Sequence, residues 1–248
     1  MSNEIACIIL AAGLGTRMKS NKAKVLHQLL DKPMILYVVE TANQVAGKNV
    51  IVVVGHQAEK VKQVVGDRFQ VNFALQKEQL GTGHAVMCAL DMIPVDVEDV
   101  LITCGDVPLL TYETLSALLK YHQDQKRDIS VLAVKVDNPT GYGRILMDQN
   151  GHFTGIVEEA DANAKEKTIP LINSGIYCIK KMFLSNNLNR IESDNAQNEF
   201  YLTDIIKIGH DQNRSMGVVV GNNQEEIIGI NSPDELKQAE RILSKSNR

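Results

Sequence analysis

The stretch at residues 5–18, "IACIILAAGLGTRM", joins a continuous apolar run to a glycine-containing loop. The run up to Leu10 has the length and composition of a strand that is buried on both faces. Met18 stands where a dinucleotide-binding fingerprint has its third glycine, and the Gly-Lys-Ser/Thr ending of a Walker loop is absent. The stretch therefore predicts a buried strand followed by a phosphate-type loop of another kind.

Strand-like and helix-like segments alternate through the first half of the chain. This order, with apolar strands, predicts an α/β fold with a Rossmann-like, mostly parallel sheet flanked by helices. Pro33 is expected to open one helix as its first residue, and Gly47 follows the end of that helix. The expected strands lie at residues 5–10, 49–54, 71–75, 100–106 and from 129 onward, and the expected helices at 33–45, 57–65, 83–93 and 111–122.

The second half is less regular and predicts a mixed α+β lobe on the carboxyl edge of the sheet. Two strand-like segments flank the turn sequence "QNG", which indicates a hairpin. A strand at 170–180, a helix at 201–211 and a strand at 216–221 are expected to follow. Ser232, Pro233 and Glu235 form a capping box that marks a final helix. We therefore expect one main domain over residues 1–230 and a C-terminal helix within 231–248.

The overall composition argues against several classes of protein. The 248 residues carry a formal charge of -4, without the basic excess typical of nucleic-acid binding. The apolar run at residues 5–12 is too short to span a membrane, and Glu4 precedes it where a signal peptide is basic, so no membrane association is expected. The cysteines have no metal-binding spacing and predict ordinary thiols in a reducing cytoplasm: Cys7, Cys88, Cys104 and Cys178.

Small residues and then basic side chains follow the first strand. Ala11, Ala12 and Gly13 let backbone N–H groups approach a phosphate or a base closely. Arg17 can hold two phosphate oxygens at once, and Lys24 can supply a second cation. The alternative is a glycine turn followed by solvated basic side chains.

The residues at the ends of the next two strands indicate which kind of nucleotide the chain would bind. The second strand ends "VGH" at residues 54–56, without the carboxylate that binds a ribose in dinucleotide-binding proteins, which argues against an NAD-dependent enzyme. Gln76 carries an amide that complements uracil, although a flipped amide meets cytosine as well. Gly81 and Thr82 offer exposed backbone and a hydroxyl, or form only a flexible turn before a helix.

Four polar residues are candidates for metal and sugar binding. Asp106 ends the fourth strand, where a carboxylate facing a polyphosphate is a natural Mg²⁺ ligand, and the carbonyl of Asn231 can be a second ligand. Glu158 and Asn173 can bind sugar hydroxyls if they are buried. The alternatives are an aspartate that caps a turn, a turn asparagine and two exposed strand ends.

The motifs taken together resemble one enzyme family. "LAAGLGTRM" with Lys24 in "KVLH" resembles the signature of sugar-1-phosphate nucleotidylyltransferases. In chain order, "QLGTGHA", "CGDVPL", "NPTGYGRI", "GIVEEADA", "INSGIY", "NEFYLTDII" and "GIN" are similar to the pyrophosphorylase domain of bacterial N-acetylglucosamine-1-phosphate uridylyltransferases. The resemblance runs from about residue 5 to about residue 243 and so covers nearly the whole chain.

The resemblance implies Mg²⁺-dependent transfer of UMP from UTP to N-acetylglucosamine-1-phosphate, which gives pyrophosphate and the cell-wall precursor UDP-N-acetylglucosamine. It also implies that Arg17 and Lys24 hold the phosphates. The other implied contacts are Leu10, Ala11, Ala12, Gly13, Gln76, Gly81 and Thr82 for the uridine part, Gly105, Gly141, Glu158 and Asn173 for the amino sugar, and Asp106 and Asn231 for Mg²⁺.

Two other functions stay open at this point: a nucleotidylyltransferase for another sugar or polyol phosphate, and a nucleotide-sugar-binding module without catalysis. The family's second domain is a left-handed β-helix that transfers an acetyl group and forms a trimer. These 248 residues show no counterpart of it, so neither property is expected of this chain and its oligomeric state stays open.

Overall fold

Residues 5–227 and 229–246 are described by a computed structural model. None of the helices in these ranges is long and apolar enough to cross a membrane. The strands are β1 (Ile5–Ala11), β2 (Gln28–Leu29), β3 (Lys32–Pro33), β4 (Val50–Val54), β5 (Asn72–Leu75), β6 (Asp99–Cys104), β7 (Ile129–Lys135), β8 (Arg144–Met147), β9 (Phe153–Val157), β10 (Leu171–Lys180) and β11 (Met216–Val220). The α-helices are α1 (Met34–Ala46), α2 (Ala58–Gly66), α3 (Thr82–Met87), α4 (Tyr112–Asp124), α5 (Lys181–Asn187), α6 (Asp204–Asp211), α7 (Gln224–Ile227) and α8 (Pro233–Ser246).

One large sheet organises the chain. Its central row has the order β11-β7-β10-β6-β1-β4-β5, and β8 and β9 extend it beside β10 as an antiparallel hairpin. Within the row, β10 runs against its neighbours β6 and β7, whereas the pairs β1–β4, β1–β6, β4–β5 and β7–β11 are parallel. The predicted α/β architecture, a mostly parallel sheet flanked by helices, is therefore confirmed.

Alternate side chains of β1 enter two separate hydrophobic cores. Cys7, Ile9 and Ala11 join the core that includes residues of α1, α2 and α4, whereas Ala6 and Ile8 join the core that includes residues of α3, α5 and α6. All five are at most 4% exposed. A strand with helices on both sides must be apolar at every position, which is the physical reason for the uninterrupted run.

The predicted elements of the second half are also present. β8 and β9 pair across the "QNG" turn. Ser232 N donates to Glu235 Oε2 at 2.8 Å and Glu235 N donates to Ser232 Oγ at 3.3 Å, so the capping box precedes α8 as predicted. The apolar face of α8 packs on a small cluster that includes β2 and α1: Leu29, Met34, Leu236, Ala239 and Leu243.

Some details differ from the sequence-based expectation. The helix expected at 83–93 is shorter, because its backbone hydrogen bonds change from four-residue to three-residue spacing after α3 and form a separate 3-10 turn at Leu90–Met92. Pro33 precedes α1 instead of opening it, since it pairs with Gln28 in the small β2–β3 hairpin. That hairpin, α5 and α7 were not predicted, because each is too short to show a period.

A buried polar cluster lies at the amino edge of the sheet. Asp99, the first residue of β6, is 2% exposed and lies 3.3 Å from His122 Nε2 and 2.8 Å from Lys180 Nζ. Gln123 Nε2 also donates to its carboxylate at 3.1 Å. Burial tends to raise the pKa of Asp99, but hydrogen bonds from His122, Lys180 and Gln123 outweigh it and lower the pKa to about 2. The cluster joins β6, β10 and α4 away from the carboxyl ends of the parallel strands.

Candidate functional site

A cleft of about 460 Å³ opens at the carboxyl ends of β1, β5 and β6. This is the edge at which open α/β sheets bind their ligands. Lys24 and Asp106 reach it from two different loops. Nine predicted site residues line the cleft: Leu10, Ala11, Ala12, Gly13, Lys24, Gln76, Gly81, Thr82 and Asp106.

A larger open cleft of about 820 Å³ is lined by residues of α1, α4, α7 and α8 and the loops beside them. Its Glu226 carboxylate accepts hydrogen bonds from the hydroxyls of Thr111 at 3.1 Å and Thr114 at 2.8 Å. That carboxylate therefore joins α7 to the start of α4. The cleft at the carboxyl edge of the sheet, in contrast, gathers the residues with predicted chemistry and is the candidate site.

Gly15 shapes the loop that brings Lys24 into this cleft. Its φ of +66° lies in the left-handed region that favours glycine. A Cβ added there would lie 2.5 Å from Lys24 Cβ, so no side chain fits between the loop and Lys24. At Gly13 an added Cβ meets no described atom within 4 Å. Glycine is thus needed at residue 15 both for the backbone conformation and for the close approach.

Arg17, Lys24, Asp106 and Asn231 form one hydrogen-bonded network beside the cleft. Lys24 Nζ donates to Asp106 Oδ2 and, at 2.9 Å, to Asn231 Oδ1. Arg17 Nη2 donates to the same Asn231 oxygen, also at 2.9 Å. The side chains of Lys24 and Asp106 are only 17% and 12% exposed. The structure therefore brings together both predicted phosphate-binding residues and both predicted Mg²⁺ ligands.

The amide of Asn231 is held in one orientation. Its Nδ2 donates to Gly229 O at 2.9 Å, and its backbone N–H donates to Glu235 Oε2 at 2.6 Å. Because a carbonyl lies on one side of the amide and two cations lie on the other, Oδ1 is the atom that faces the cations. Ile230 N also donates to Asp106 O at 2.8 Å. The segment before α8 is thus tied to the end of β6.

The oxygens of Asp106 and Asn231 suit a hard cation such as Mg²⁺, which takes one or two protein oxygens and fills its shell with water and phosphate. A Cβ added at Gly229 would lie 3.2 Å from Asp106 Oδ2, so the carboxylate is closely confined. Within residues 5–227 and 229–246 no group of three or more His, Cys, Asp or Glu side chains is arranged to hold a metal. Two oxygen donors, one from a carboxylate and one from an amide, fit Mg²⁺ better than a closed zinc site built from cysteine and histidine.

The loop after β5 is clamped against the segment that precedes α6. Gly81 has a φ of +108°, and a Cβ added there would lie 2.6 Å from Phe200 O. Gly83 N donates to that carbonyl at 2.7 Å. Thr82 Oγ1 accepts from Leu202 N at 2.9 Å, so the hydroxyl oxygen supports the clamp as well as lining the cleft. The two glycines let the two backbones meet, which sequence reasoning missed.

Gln76 also stabilises the loop after β5, from a buried position. It is 3% exposed, and its Nε2 donates to Gly81 O at 3.0 Å and lies 3.1 Å from His84 Nδ1. The amide that was predicted to meet a base is therefore already engaged on one side. Its contact with uracil remains a prediction.

Backbone hydrogen bonds tie the first loop to the neighbouring strand ends. Gly105 N donates to Leu10 O at 2.8 Å, and His56 N donates to Ala12 O at 3.1 Å. Gly105 is buried, and a Cβ added there would lie 3.2 Å from Ala11 Cβ. Its position is therefore one of close backbone packing, and its contact with a sugar remains a prediction.

Glu158 lies just after β9. Its Oε1 accepts from Thr203 Oγ1 at 3.1 Å, and its Oε2 lies 3.1 Å from the Cβ position of Gly143. Burial raises the pKa of Glu158 more than the hydrogen bond from Thr203 lowers it. The predicted sugar-binding carboxylate is thus largely shielded from water and held by a hydroxyl that sequence reasoning missed.

Asn173 lies at an irregularity in β10, where the register shifts between Asn173 and Ile176. Its Nδ2 donates to Tyr177 OH at 2.7 Å, and its Oδ1 accepts from Gly175 N at 3.0 Å. Tyr177 is 2% exposed. The amide is therefore held from both sides, and the tyrosine is a second supporting residue that the sequence did not reveal.

Cys104 lies at the end of β6, between the cleft and β10. Its thiol lies 3.9 Å from Gly175 O and lines the cleft. Burial raises the pKa of Cys104 to about 12, and the negative charges of Asp106 and Glu158 add to the effect. The thiol is therefore neutral where it lines the cleft.

A buried arginine holds the "GYGRI" loop. Arg144 is 1% exposed, and its Nη2 donates to Glu159 Oε2 at 2.6 Å. The same oxygen accepts from Gly141 N at 3.1 Å. Gly141 has a φ of +87°, and its Cβ position meets no described atom within 4 Å. Its contact with a sugar remains a prediction, while the role of Arg144 was missed because an arginine at a strand start usually faces solvent.

Comparison with known proteins identifies relatives of this chain. A sequence model of the family described as nucleotidyl transferase matches residues 6–225. The chain is 48% identical over 242 residues to the bifunctional protein GlmU of Caldanaerobacter subterraneus subsp. tengcongensis, and 45% identical over 240 residues to that of Geotalea daltonii. These alignments cover 98% and 97% of this chain but 52% of each relative. The chain thus spans about half the length of the curated relatives it matches.

A solved structure shares the fold. It is a 2.76 Å crystal structure of a Bacillus anthracis protein, named provisionally as a glucose-1-phosphate thymidylyltransferase, in complex with sucrose. The two chains superpose with a TM-score of 0.74 at 21% identity, over 96% of this chain and 94% of the other. At this identity the likeness concerns the architecture alone.

Proposed function

Because the chain belongs to the nucleotidyl transferase family, we propose that it transfers UMP from UTP to N-acetylglucosamine-1-phosphate, with Mg²⁺, and releases pyrophosphate. The observation that carries this proposal is the convergence of Arg17, Lys24, Asp106 and Asn231 in one network at the carboxyl edge of the sheet. The choice of UTP and of the acetylated amino sugar rests on the motif resemblance. UDP-N-acetylglucosamine, a cell-wall precursor, would be the product.

The proposed reaction needs no protein nucleophile, because the sugar phosphate is already an anion. Its oxygen attacks the α-phosphorus of UTP in line, and the bond to the leaving pyrophosphate breaks as the new P–O bond forms. Arg17 and Lys24 orient the phosphates and neutralise their charge, which is catalysis by positioning and electrostatic stabilisation. Mg²⁺, held by Asp106 and Asn231, would supply Lewis-acid stabilisation of the phosphoryl oxygens. Glu158 would receive the sugar hydroxyls.

The direct test measures pyrophosphate release from UTP, Mg²⁺ and N-acetylglucosamine-1-phosphate, beside glucose-1-phosphate and beside CTP. Release confined to UTP with the acetylated sugar supports the proposal. Preferential release with another pair reassigns the substrate within the same family. No release with any pair favours a binding module.

Two variants test the roles of the residues. Removal of one donor of this kind typically lowers turnover by ~10²–10³, so Arg17→Ala should reduce kcat far more than it weakens UTP binding. The matched control is Lys22→Ala, which removes an exposed charge of the same loop. Unchanged turnover in Arg17→Ala would contradict its role. Asp106→Ala should lose Mg²⁺-dependent activity, and retained activity would rule out a metal ligand there.

A further inference from the structure

We propose that Lys24 is the resident cation of the metal site: without substrate, its ammonium group occupies the place between Asp106 and Asn231 and excludes a divalent ion. The ion then enters only together with the phosphates of the nucleotide, which draw Lys24 away. This inference rests on the proposed function for the identity of the metal site.

The hydrogen bonds of Lys24 carry the argument. Its Nζ donates to Oδ2 of Asp106 and to Oδ1 of Asn231, which are the same two side chains that the site offers to Mg²⁺. A carbonyl oxygen has two lone pairs. Asn231 Oδ1 accepts from both Lys24 and Arg17, so both acceptor positions are filled. A metal can bind this oxygen only after one of the two cations has left.

Charge and burial favour the same conclusion. Asp106 is largely shielded from water, and a shielded carboxylate without a partner is costly, so the ammonium group of Lys24 compensates its charge. A divalent ion that arrived alone would have to displace one cation and remain beside another. The phosphates of a nucleotide bring the negative charge that gives Lys24 a new partner as the ion takes its place.

The loop also determines which part of Lys24 can move. Gly15 packs against the Cβ of Lys24 and leaves no space at that point, so the base of the side chain is fixed. The remaining methylene groups and the ammonium group form a flexible stem with a compact charge. Exchange between Asp106 and a phosphate therefore requires a rotation of the side chain and no rebuilding of the loop.

The experiment measures Mn²⁺ binding to the full chain without nucleotide, by calorimetry and by the loss of the free-Mn²⁺ paramagnetic resonance signal. Lys24→Met should bind Mn²⁺ at least about tenfold more tightly than the unmodified protein, a step that corresponds to about 1.4 kcal/mol. The control Lys22→Met removes an exposed charge of the same loop and should leave the affinity unchanged. Equal Mn²⁺ affinity in the unmodified protein and Lys24→Met, or an equal gain in Lys22→Met, would overturn the inference.

Two further measurements separate this inference from the metal assignment. Adding Asp106→Asn to Lys24→Met should abolish the gained binding, and binding that survives this change means that the proposed metal site itself is wrong. If Lys24→Met does not fold, the unmodified protein is titrated with Mn²⁺ in the presence and absence of inorganic triphosphate. The expected result is Mn²⁺ binding in the presence of triphosphate beyond what triphosphate alone binds, and equal binding by the protein without triphosphate refutes the exclusion by Lys24.

Discussion

Gly15→Ala is expected to damage both stability and activity, for reasons that can be worked out separately. A non-glycine residue at a φ of +66° costs about 1 kcal/mol, which in a chain of this size corresponds to a fall in Tm of about 2–4 °C. The new Cβ would also lie 2.5 Å from Lys24 Cβ, a distance that real side chains do not tolerate, and 3.2 Å from its Cγ, which is a tight contact. Lys24 must therefore shift, and its bonds to Asp106 and Asn231 shift with it.

Thermal unfolding and steady-state kinetics measure these two effects of Gly15→Ala. The control for stability is Gly13→Ala, because an added Cβ there meets no described atom within 4 Å and the φ of Gly13 lies outside the left-handed region. The free energy of unfolding of Gly13→Ala should therefore change by no more than about 0.5 kcal/mol. We expect kcat/KM for UTP to fall at least about tenfold in Gly15→Ala, since the proposed role of Lys24 is to stabilise the transition state and its displacement would weaken that stabilisation. If Gly15→Ala has the same Tm and the same turnover as the unmodified protein, the contact between this loop and Lys24 has been misinterpreted.

Three other changes have defined outcomes. The lowered pKa of Asp99 stabilises the fold above pH about 4, and this contribution disappears as the pH falls towards about 2. In urea unfolding, Asp99→Asn should therefore lower the stability at pH 7 and make the stability depend less on acid pH. An unchanged acid dependence would contradict the buried ion pair. The raised pKa of Glu158 means that its carboxylate becomes protonated at a higher pH than usual, so KM for the sugar phosphate should rise as the pH is lowered. Glu158→Gln should remove this rise from the pH profile of KM. A rise that persists in Glu158→Gln belongs to another group. Tyr177→Phe removes the acceptor of the Asn173 amide and should raise KM for the sugar phosphate with little change in kcat; a fall in kcat alone would exclude this positioning role.

The central strands of the large sheet were predictable because burial on both faces leaves a continuous apolar run. Val50–Val54 is buried at every residue, and its sequence is apolar at every residue. The reversed direction of β10 was not predictable. A strand between β6 and β7 is covered on both faces whichever way it runs, so its composition is the same in either direction. Its direction is decided by the connections through β8 and β9, which no local pattern records.

The residues proposed to act on phosphate and metal were predictable by type, whereas the residues that support the site were not. Arg17 and Asp106 follow strands or glycines, in positions where a charge has little structural reason to be. Thr203 and Tyr177 lie in segments that satisfy helix and strand patterns on their own. Thr203 supports a carboxylate 45 positions away, and such a partner is set by the tertiary fold alone.

The hydrogen bond between Arg17 and Asn231 joins residues that are 214 positions apart. A protein is synthesised from its N-terminus, and domains begin to fold as they emerge from the ribosome. A nascent chain that ends before Asn231 can bury the apolar strands of the sheet, yet it holds neither the second oxygen for a cation nor the partner of Arg17. We therefore expect chains that are terminated before Asn231 to be inert rather than partly active.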